Sequence, residues 1–160
     1  MNNQSAVEVR SAHDSDLETI AFLYFKQLEF HLDLDSRFNP SWATSLEAKA
    51  FLVEYISDEN RLLAVAEIER QIVGYAYGAV KRTPLDWNFR HIAELESLHV
   101  SKNFRGLGVG QDLTKRFVEF SKERRATRLK IESFSGNLTA INYWEKLGFK
   151  QYSINLDIEL

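Results

Sequence analysis

Three glycines at alternate positions, in Arg105-Gly106-Leu107-Gly108-Val109-Gly110, are the part of this sequence best suited to chemistry. Glycine adopts positive φ and lets the main chain come close to a ligand. A helix that starts in such a loop leaves N–H groups without partners. With the helix dipole these favour an anion by roughly 0.3–2 kcal/mol. Arg105 adds a full positive charge, and Gln111 closes the loop. A phosphate or pyrophosphate is the ligand that such a set of donors suits. The surrounding charge agrees. Residues Ser101 to Lys130 carry nine Lys/Arg and three Asp/Glu, a net of +6 inside a chain whose total is −3. An acidic chain with one basic block suggests a local anion site rather than a nucleic-acid surface.

Other chemistries drop out on residue type. There are no cysteines, so no thiolate nucleophile, disulfide or iron–sulfur cluster can form. The four histidines (His13, His31, His91, His99) show no metal-ligand spacing, and no metal is expected. No apolar run approaches the ~20 residues that span a bilayer, and the first residues show no secretory signal. A cytoplasmic protein without membrane contact is expected. A chain of 160 residues with 7 Gly and 2 Pro reads as a single domain over residues 1–160.

The elements that must position the loop can be read from periodicity. Val7 to Ser11 alternates as a strand. Ser15 and Glu18 suggest a capping box before a helix carrying Leu17, Ile20, Tyr24 and Leu28 on one face. Thr44 and Glu47 suggest a second such box. Arg61–Ile68 and Ile72–Val80 predict a hairpin, and His91–Val100 a further strand with Glu94, Glu96, Leu98 and Val100 on one side. The helix after the glycines runs to about Glu123. Arg128–Phe134 predicts a strand, and Asn137–Leu147 a helix ended by Gly148. Phe149–Leu160 predicts a closing strand. The order is β-α-α-β-β-β-α-β-α-β, a mixed α/β sheet.

Two phosphate loops fail on detail. A Walker loop needs Lys and Ser/Thr where Gln111 and Asp112 stand, and a dinucleotide fingerprint needs G-x-G-x-x-G. An NAD-type oxidoreductase, with Glu132 as the ribose acid, also lacks a second βαβ unit. The third is a coenzyme A loop. Arg105, Gly108 and Gly110 after a strand ending Leu98-His99-Val100 resemble the R-x-x-G-x-G loop of the GNAT superfamily of acyl-CoA N-acyltransferases. Asn137, Ala140 and Glu145-Lys146-Leu147-Gly148-Phe149 resemble its second motif.

The resemblance implies a sheet that splays between its fourth and fifth strands, with acetyl-CoA as co-substrate in the gap. It implies that the main chain of Leu98 and Val100, with an N–H near His99, holds the acyl arm. Arg105, Gly106, Leu107, Gly108, Val109, Gly110 and Gln111 would hold the pyrophosphate. Asn137, Ala140, Trp144 and Lys146 would complete the coenzyme site. The acceptor ammonium must lose a proton before it attacks, and either Glu94 or Glu96, about 7 Å apart along a strand, is the implied base. The family's usual tyrosine acid is Trp144 here, and an indole cannot donate in that way. Tyr143, one position earlier, is the remaining candidate. This departure keeps open a coenzyme A-binding regulatory module with weak or no catalysis.

Two loops are expected to shape the acceptor site. One holds Glu29, Asp33, Asp35, Phe38 and Trp42, and the other Lys81, Arg82, Trp87, Phe89 and Arg90. Carboxylates beside aromatic rings in the first suit a cationic amine, whereas the basic second loop suits an acceptor with a carboxylate; a small-molecule primary amine is preferred, with a protein N-terminus or lysine left open. His99 is expected to point away from the Glu94/Glu96 face. The C-terminal strand Ile154–Leu160 offers an edge for a homodimer.

Overall fold

The computed structural model describes residues 6–159. The elements are β1 (Glu8–Ser11), α1 (Leu17–Leu32), α2 (Leu46–Ser57), β2 (Arg61–Ile68), β3 (Gln71–Arg82), β4 (His91–Val100), α3 (Val109–Glu123), β5 (Arg128–Ile131) and α4 (Leu138–Lys146). The strands form one sheet in the order β1-β2-β3-β4-β5. All neighbours are antiparallel except β4 and β5, which are parallel. The mixed α/β order is the expected one up to α4.

The helices cover both faces. Amphipathic α3 buries Val109, Leu113, Phe117 and Phe120 against Ala64, Ala76, Ala93 and Leu95, and α4 adds Trp144. On the other face α1 and α2 bury Leu17, Ile20, Leu23 and Leu52 against Leu63, Val65, Tyr75 and Tyr77. Each such side chain is worth roughly 1.5–3 kcal/mol on burial, so the two layers hold the strands between them. Gly78 is what lets α3 sit so close. A Cβ there would lie 2.6 Å from the Phe117 ring and 2.3 Å from the Glu94 carbonyl oxygen.

Four expectations about local structure need correction. The cap of α2 is Ser45, whose hydroxyl accepts from the Ala48 N–H at 3.1 Å, not Thr44. The entry to α1 uses Asp16 rather than Ser15 and Glu18. Its carboxylate accepts from the His13 N–H at 2.8 Å and from Arg10 at 2.7 and 3.0 Å. The closing strand does not form among the described residues. Residues 149–159 have no strand partner. Tyr152, Ile154, Leu156 and Ile158 stand 70%, 71%, 92% and 82% exposed. An alternating pattern makes a strand only where a ladder partner is in reach.

The fourth correction sits in β4. Tyr77 of β3 pairs with Ser97, and Gly78 pairs with Leu95, so Glu96 is an extra residue in a β-bulge. A bulge breaks the period of two. Ala93 and Leu95 face α3 before it, and Leu98 and Val100 face α3 after it. Glu94 and Glu96 therefore do not share a side with Leu98 and Val100. Ser97 and His99 turn to the α1/α2 face instead, where they meet Tyr75. His99 thus lies on the face of Glu94 and Glu96, contrary to expectation.

Candidate active site

β4 and β5 pair only from Ile92 to Leu95 against Arg128 to Ile131. β5 then ends, while β4 continues to Val100. The two strands thus part at the bulge, as the splayed sheet requires. The Ser101 N–H donates to the Val73 carbonyl oxygen at 2.8 Å. By the strand alternation the main chain of Ser97 and His99 also faces β3. That of Leu98 and Val100 faces the gap. The gap-side donors are therefore those flanking His99, not its own.

The glycine loop closes one end of this gap. Gly106 and Gly108 have φ of 79° and 87°, and Gly108 stands at the start of α3 with no side-chain cap. The first helical bond there runs from Asp112 N–H to Gly108 at 3.0 Å. The N–H groups of Gly108, Val109, Gly110 and Gln111 are thus the open donors of the helix end. Leu107 is half-exposed, and Arg105 folds back, its Nε donating to the Val100 carbonyl oxygen at 2.9 Å. Arg105 braces the loop against β4 as well as charging it. These donors fit a pyrophosphate.

α4 forms the other wall. Asn137 caps it, its Oδ1 accepting from the Ala140 N–H at 3.1 Å. Lys146 is exposed in its last turn. Trp144 is buried in the core, its ring 5.3 Å from that of Phe149. Tyr143 turns toward α3. Thr114 donates its hydroxyl to the Gly110 carbonyl oxygen at 2.8 Å, so the Tyr143 hydroxyl, 3.2 Å from Thr114 Oγ1, is the donor of that pair. Burial pushes the Tyr143 phenol up, against a smaller lowering by Thr114. Tyr143 is a strut between α4 and the glycine loop.

The two glutamates lie on the opposite face and differ in company. Glu94 is flanked by Lys81 from β3 at 3.0 Å and Lys130 from β5 at 3.1 Å. Burial alone would raise its pKa, but the two ammonium groups outweigh burial and hold it below the ordinary carboxylate range. Glu96 accepts a hydrogen bond from the Tyr55 hydroxyl and an ion pair from Lys81 at 2.8 Å. Burial first, then the Glu96 carboxylate, push the Tyr55 phenol well up, so it stays a donor. Glu96 opens on a hollow of about 470 Å³ lined also by Phe51, Glu54, Tyr55, Asp58 and Arg61. Arg61 pairs with Glu54 at 2.7 Å.

An aromatic and polar wall continues from Glu96 along α1. Tyr24, Trp42, Phe51, Tyr55, Tyr75 and Tyr77 meet mostly edge to face, with centroids 4.9–6.2 Å apart. Gln27 accepts from both Tyr75 and Ser97, the latter at 2.9 Å. Beyond it His31 packs against Phe38 and Phe134 with centroids 5.1 and 5.6 Å away. His99 is neutral at pH 7. Burial, then the charges of Arg105 and His31, lower it to about 4.

Sequence reading missed Tyr55, Gln27, Tyr75, Tyr77, Ser97 and Lys130. The one available signal was the pair Tyr75 and Tyr77, two hydroxyls on one side of an otherwise apolar strand. Of the residues expected to recognise the acceptor, Trp42 joins this wall. Glu29 and Asp35 are instead taken up by Lys26 and Arg37. Trp87 lines a second hollow of about 970 Å³ along the outer edge of β5. Among the described residues no cluster of three or more candidate ligands could hold a metal, and no helix is long and apolar enough to cross a membrane.

The profile of the Acetyltransferase (GNAT) family matches residues 28–149. An N-alpha-acetyltransferase of Sulfurisphaera tokodaii is 28% identical over 114 residues, and the match spans 65% of this chain and 65% of that protein. Among solved structures, a transcriptional regulator from Bacillus halodurans C-125 superposes with a TM-score of 0.81 at 22% identity, covering 97% of this chain and 100% of that one. The aminoglycoside N-acetyltransferase AAC(6')-Iy in complex with CoA superposes with a TM-score of 0.78 at 14% identity, covering 100% of this chain and 98% of that one.

Proposed function

We propose, from the premise that this chain belongs to the GNAT acetyltransferase family, that it moves an acetyl group from acetyl-CoA to a primary amine, with Glu96 as general base. The observation that carries this is the bulge. It returns Leu98 and Val100 to the α3 face directly after the Glu96 carboxylate has turned to the α1/α2 face, beside the place where β4 and β5 part. Leu98 keeps its N–H and carbonyl and Val100 its N–H turned into the gap, the Val100 carbonyl oxygen being taken by Arg105. The arm of acetyl-CoA enters the gap, pairing with those groups, and its pyrophosphate meets the open N–H donors of Gly108 to Gln111 and the charge of Arg105. The acceptor comes from the other face.

Each group has a stated task. The Leu98 and Val100 N–H groups lie where a thioester oxygen gains charge, and fixed donors there lower the barrier. Glu96 takes the ammonium proton, directly or through water. The Tyr55 hydroxyl holds that carboxylate in place. Glu94 is committed to Lys81 and Lys130, so it serves as an ionic brace across β3, β4 and β5. A direct attack needs no enzyme nucleophile, which agrees with a chain that has no cysteine. The thiolate leaves without a phenol beside it, because Trp144 is core and Tyr143 donates to Thr114.

The acceptor side favours a small cationic amine. Glu54, Asp58 and Glu96 outnumber Arg61 and Lys81 by one charge in the 470 Å³ hollow, and an ammonium group that displaced Lys81 would meet Glu96 beside the Phe51 ring. Aminoglycoside acetylation by AAC(6')-Iy is of this kind. A second reading is a coenzyme A-binding module with little turnover, favoured by the buried indole at Trp144.

The deciding experiment is calorimetric titration with acetyl-CoA, then thiol release with spermidine, kanamycin and a peptide with a free N-terminus. Binding with thiol release only in the presence of an amine supports the transferase. Binding with no release supports the module, and no binding overturns both.

A further inference from the structure

Glu96 and Glu94 already hold a primary amine. The Lys81 Nζ lies 2.8 Å from one Glu96 oxygen and 3.0 Å from one Glu94 oxygen. It lines the same hollow as Glu96, Glu54 and Asp58. Lys81 is the penultimate residue of β3, and residues 83–90 beyond it form the connection to β4. Its side chain is 50% exposed. A substrate amine that delivers its proton to Glu96 directly makes this same contact.

We propose that Lys81 is itself an acetyl acceptor, modified by the chain's own active site when no external amine competes. The proposal rests on the reading of Glu96 as base and of the β4/β5 gap as the acetyl-CoA site. The atoms balance without a further reagent. Glu96 takes a proton from the Lys81 Nζ, the nitrogen forms a bond to the acyl carbon, and the carbon–sulfur bond breaks. The electron pair leaves with the coenzyme A sulfur, which takes up, through solvent, the second proton that the nitrogen sheds as the tetrahedral adduct collapses. The products are acetyl-lysine at position 81 and free coenzyme A. The change would take the bridging charge away from both glutamates and place an acetyl group in the acceptor hollow.

The molecule contains its own control. Lys130 is also 50% exposed and also touches Glu94, at 3.1 Å, but has no contact with Glu96. Chemical acetylation by free acetyl-CoA needs an exposed, unprotonated amine, and since, against burial, Glu96 and Glu94 hold Lys81 protonated, it would not favour Lys81 over the equally exposed Lys130. Acetylation through Glu96 marks Lys81.

The test is incubation of the full chain with acetyl-CoA and no acceptor, followed by peptide mass spectrometry, with calorimetry to establish saturation. The expected result is one acetyl group per chain at Lys81, formed roughly tenfold or more faster than at Lys130. The first-order rate does not depend on protein concentration. Glu96→Gln slows it by roughly 10²–10⁴, the range for loss of a general base. Lys81→Arg, which keeps the positive charge, removes the label. Equal labelling of Lys81 and Lys130, or a rate that Glu96→Gln leaves unchanged, overturns the proposal. So does an unlabelled Lys81 in protein saturated with acetyl-CoA, a result that leaves the coenzyme site standing. Failure to bind acetyl-CoA at all removes that site and the proposal with it.

Discussion

On the α3/α4 side of the sheet the candidate site is mostly main chain. It consists of the N–H groups of Gly108 to Gln111 and the gap-facing groups of Leu98 and Val100, with the Arg105 side chain as a brace. On the α1/α2 side it is side chains from five separate elements. These are Tyr24 and Gln27 of α1, Tyr55 of α2, Tyr75 and Lys81 of β3, Glu96 of β4 and Lys130 of β5. Main-chain sites depend on backbone conformation and tolerate little variation in it. Side-chain sites can change one member at a time. The comparison implies a fixed coenzyme and an adjustable acceptor.

The sharpest way to break the comparison is Glu96→Gln. The expected loss is roughly 10²–10⁴ in kcat/KM for thiol release with spermidine or kanamycin. Glu94→Gln should cost roughly tenfold or less, through position rather than proton transfer. Equal losses would mean that the bulge does not separate their roles.

The next effect is on stability. His99 is lowered to about 4, while an unfolded histidine titrates near ~6.5. The unfolded chain therefore binds more protons between those values, so stability falls as pH falls through that window. At about 1.4 kcal/mol per pH unit, the penalty at pH 4 is about 3 kcal/mol. Urea unfolding from pH 7 to pH 4 should show this loss, and His99→Gln should make the slope shallower, the remainder coming from groups such as His31 and Glu94 that are also held below their ordinary values.

Gly78→Ala should destabilise by roughly 1–3 kcal/mol, the cost of overpacking, because its methyl group meets Phe117 and the Glu94 carbonyl oxygen. A lowered Tm is the readout. Gly108→Ala is milder, roughly 1 kcal/mol for a side chain at positive φ. It should raise the KM for acetyl-CoA and leave the acceptor KM alone. A larger effect on the acceptor would undo the division between the two faces.

That division also explains what was legible in the sequence. The coenzyme side reads as a motif because its glycines, Asn137 and Gly148 answer local backbone demands within a few residues. β2 and β4 run from Arg61 to Ile68 and from His91 to Val100, as periodicity predicts. The acceptor side read only in part: the sequence points to Glu94, Glu96 and Trp42, but not to the Lys130, Tyr55 and Phe51 side chains they meet. Tyr55 and Glu96 are 41 residues apart in sequence and meet only when α2 packs on the sheet. The bulge was invisible because Glu96 fits an unbroken alternation as well as a broken one. Only pairing with β3 reveals the extra residue, and with it the true side of His99. The closing strand was over-read for a related reason. Residues 149–159 alternate, but among the described residues they are held by side chains, such as Phe149 on Trp144, Arg37 with Asp157 at 2.9 Å and Asn155 with Glu132 at 3.0 Å, and not by a ladder.

The most direct test of two separately built faces is one calorimetric series, acetyl-CoA titrated into the unaltered chain and into Glu96→Gln. The account predicts the same Kd within about twofold, since a twofold change is roughly 0.4 kcal/mol and Glu96 touches no part of the coenzyme side. A loss of acetyl-CoA affinity of more than about tenfold, roughly 1.4 kcal/mol, in Glu96→Gln would contradict it, as would no binding to either protein.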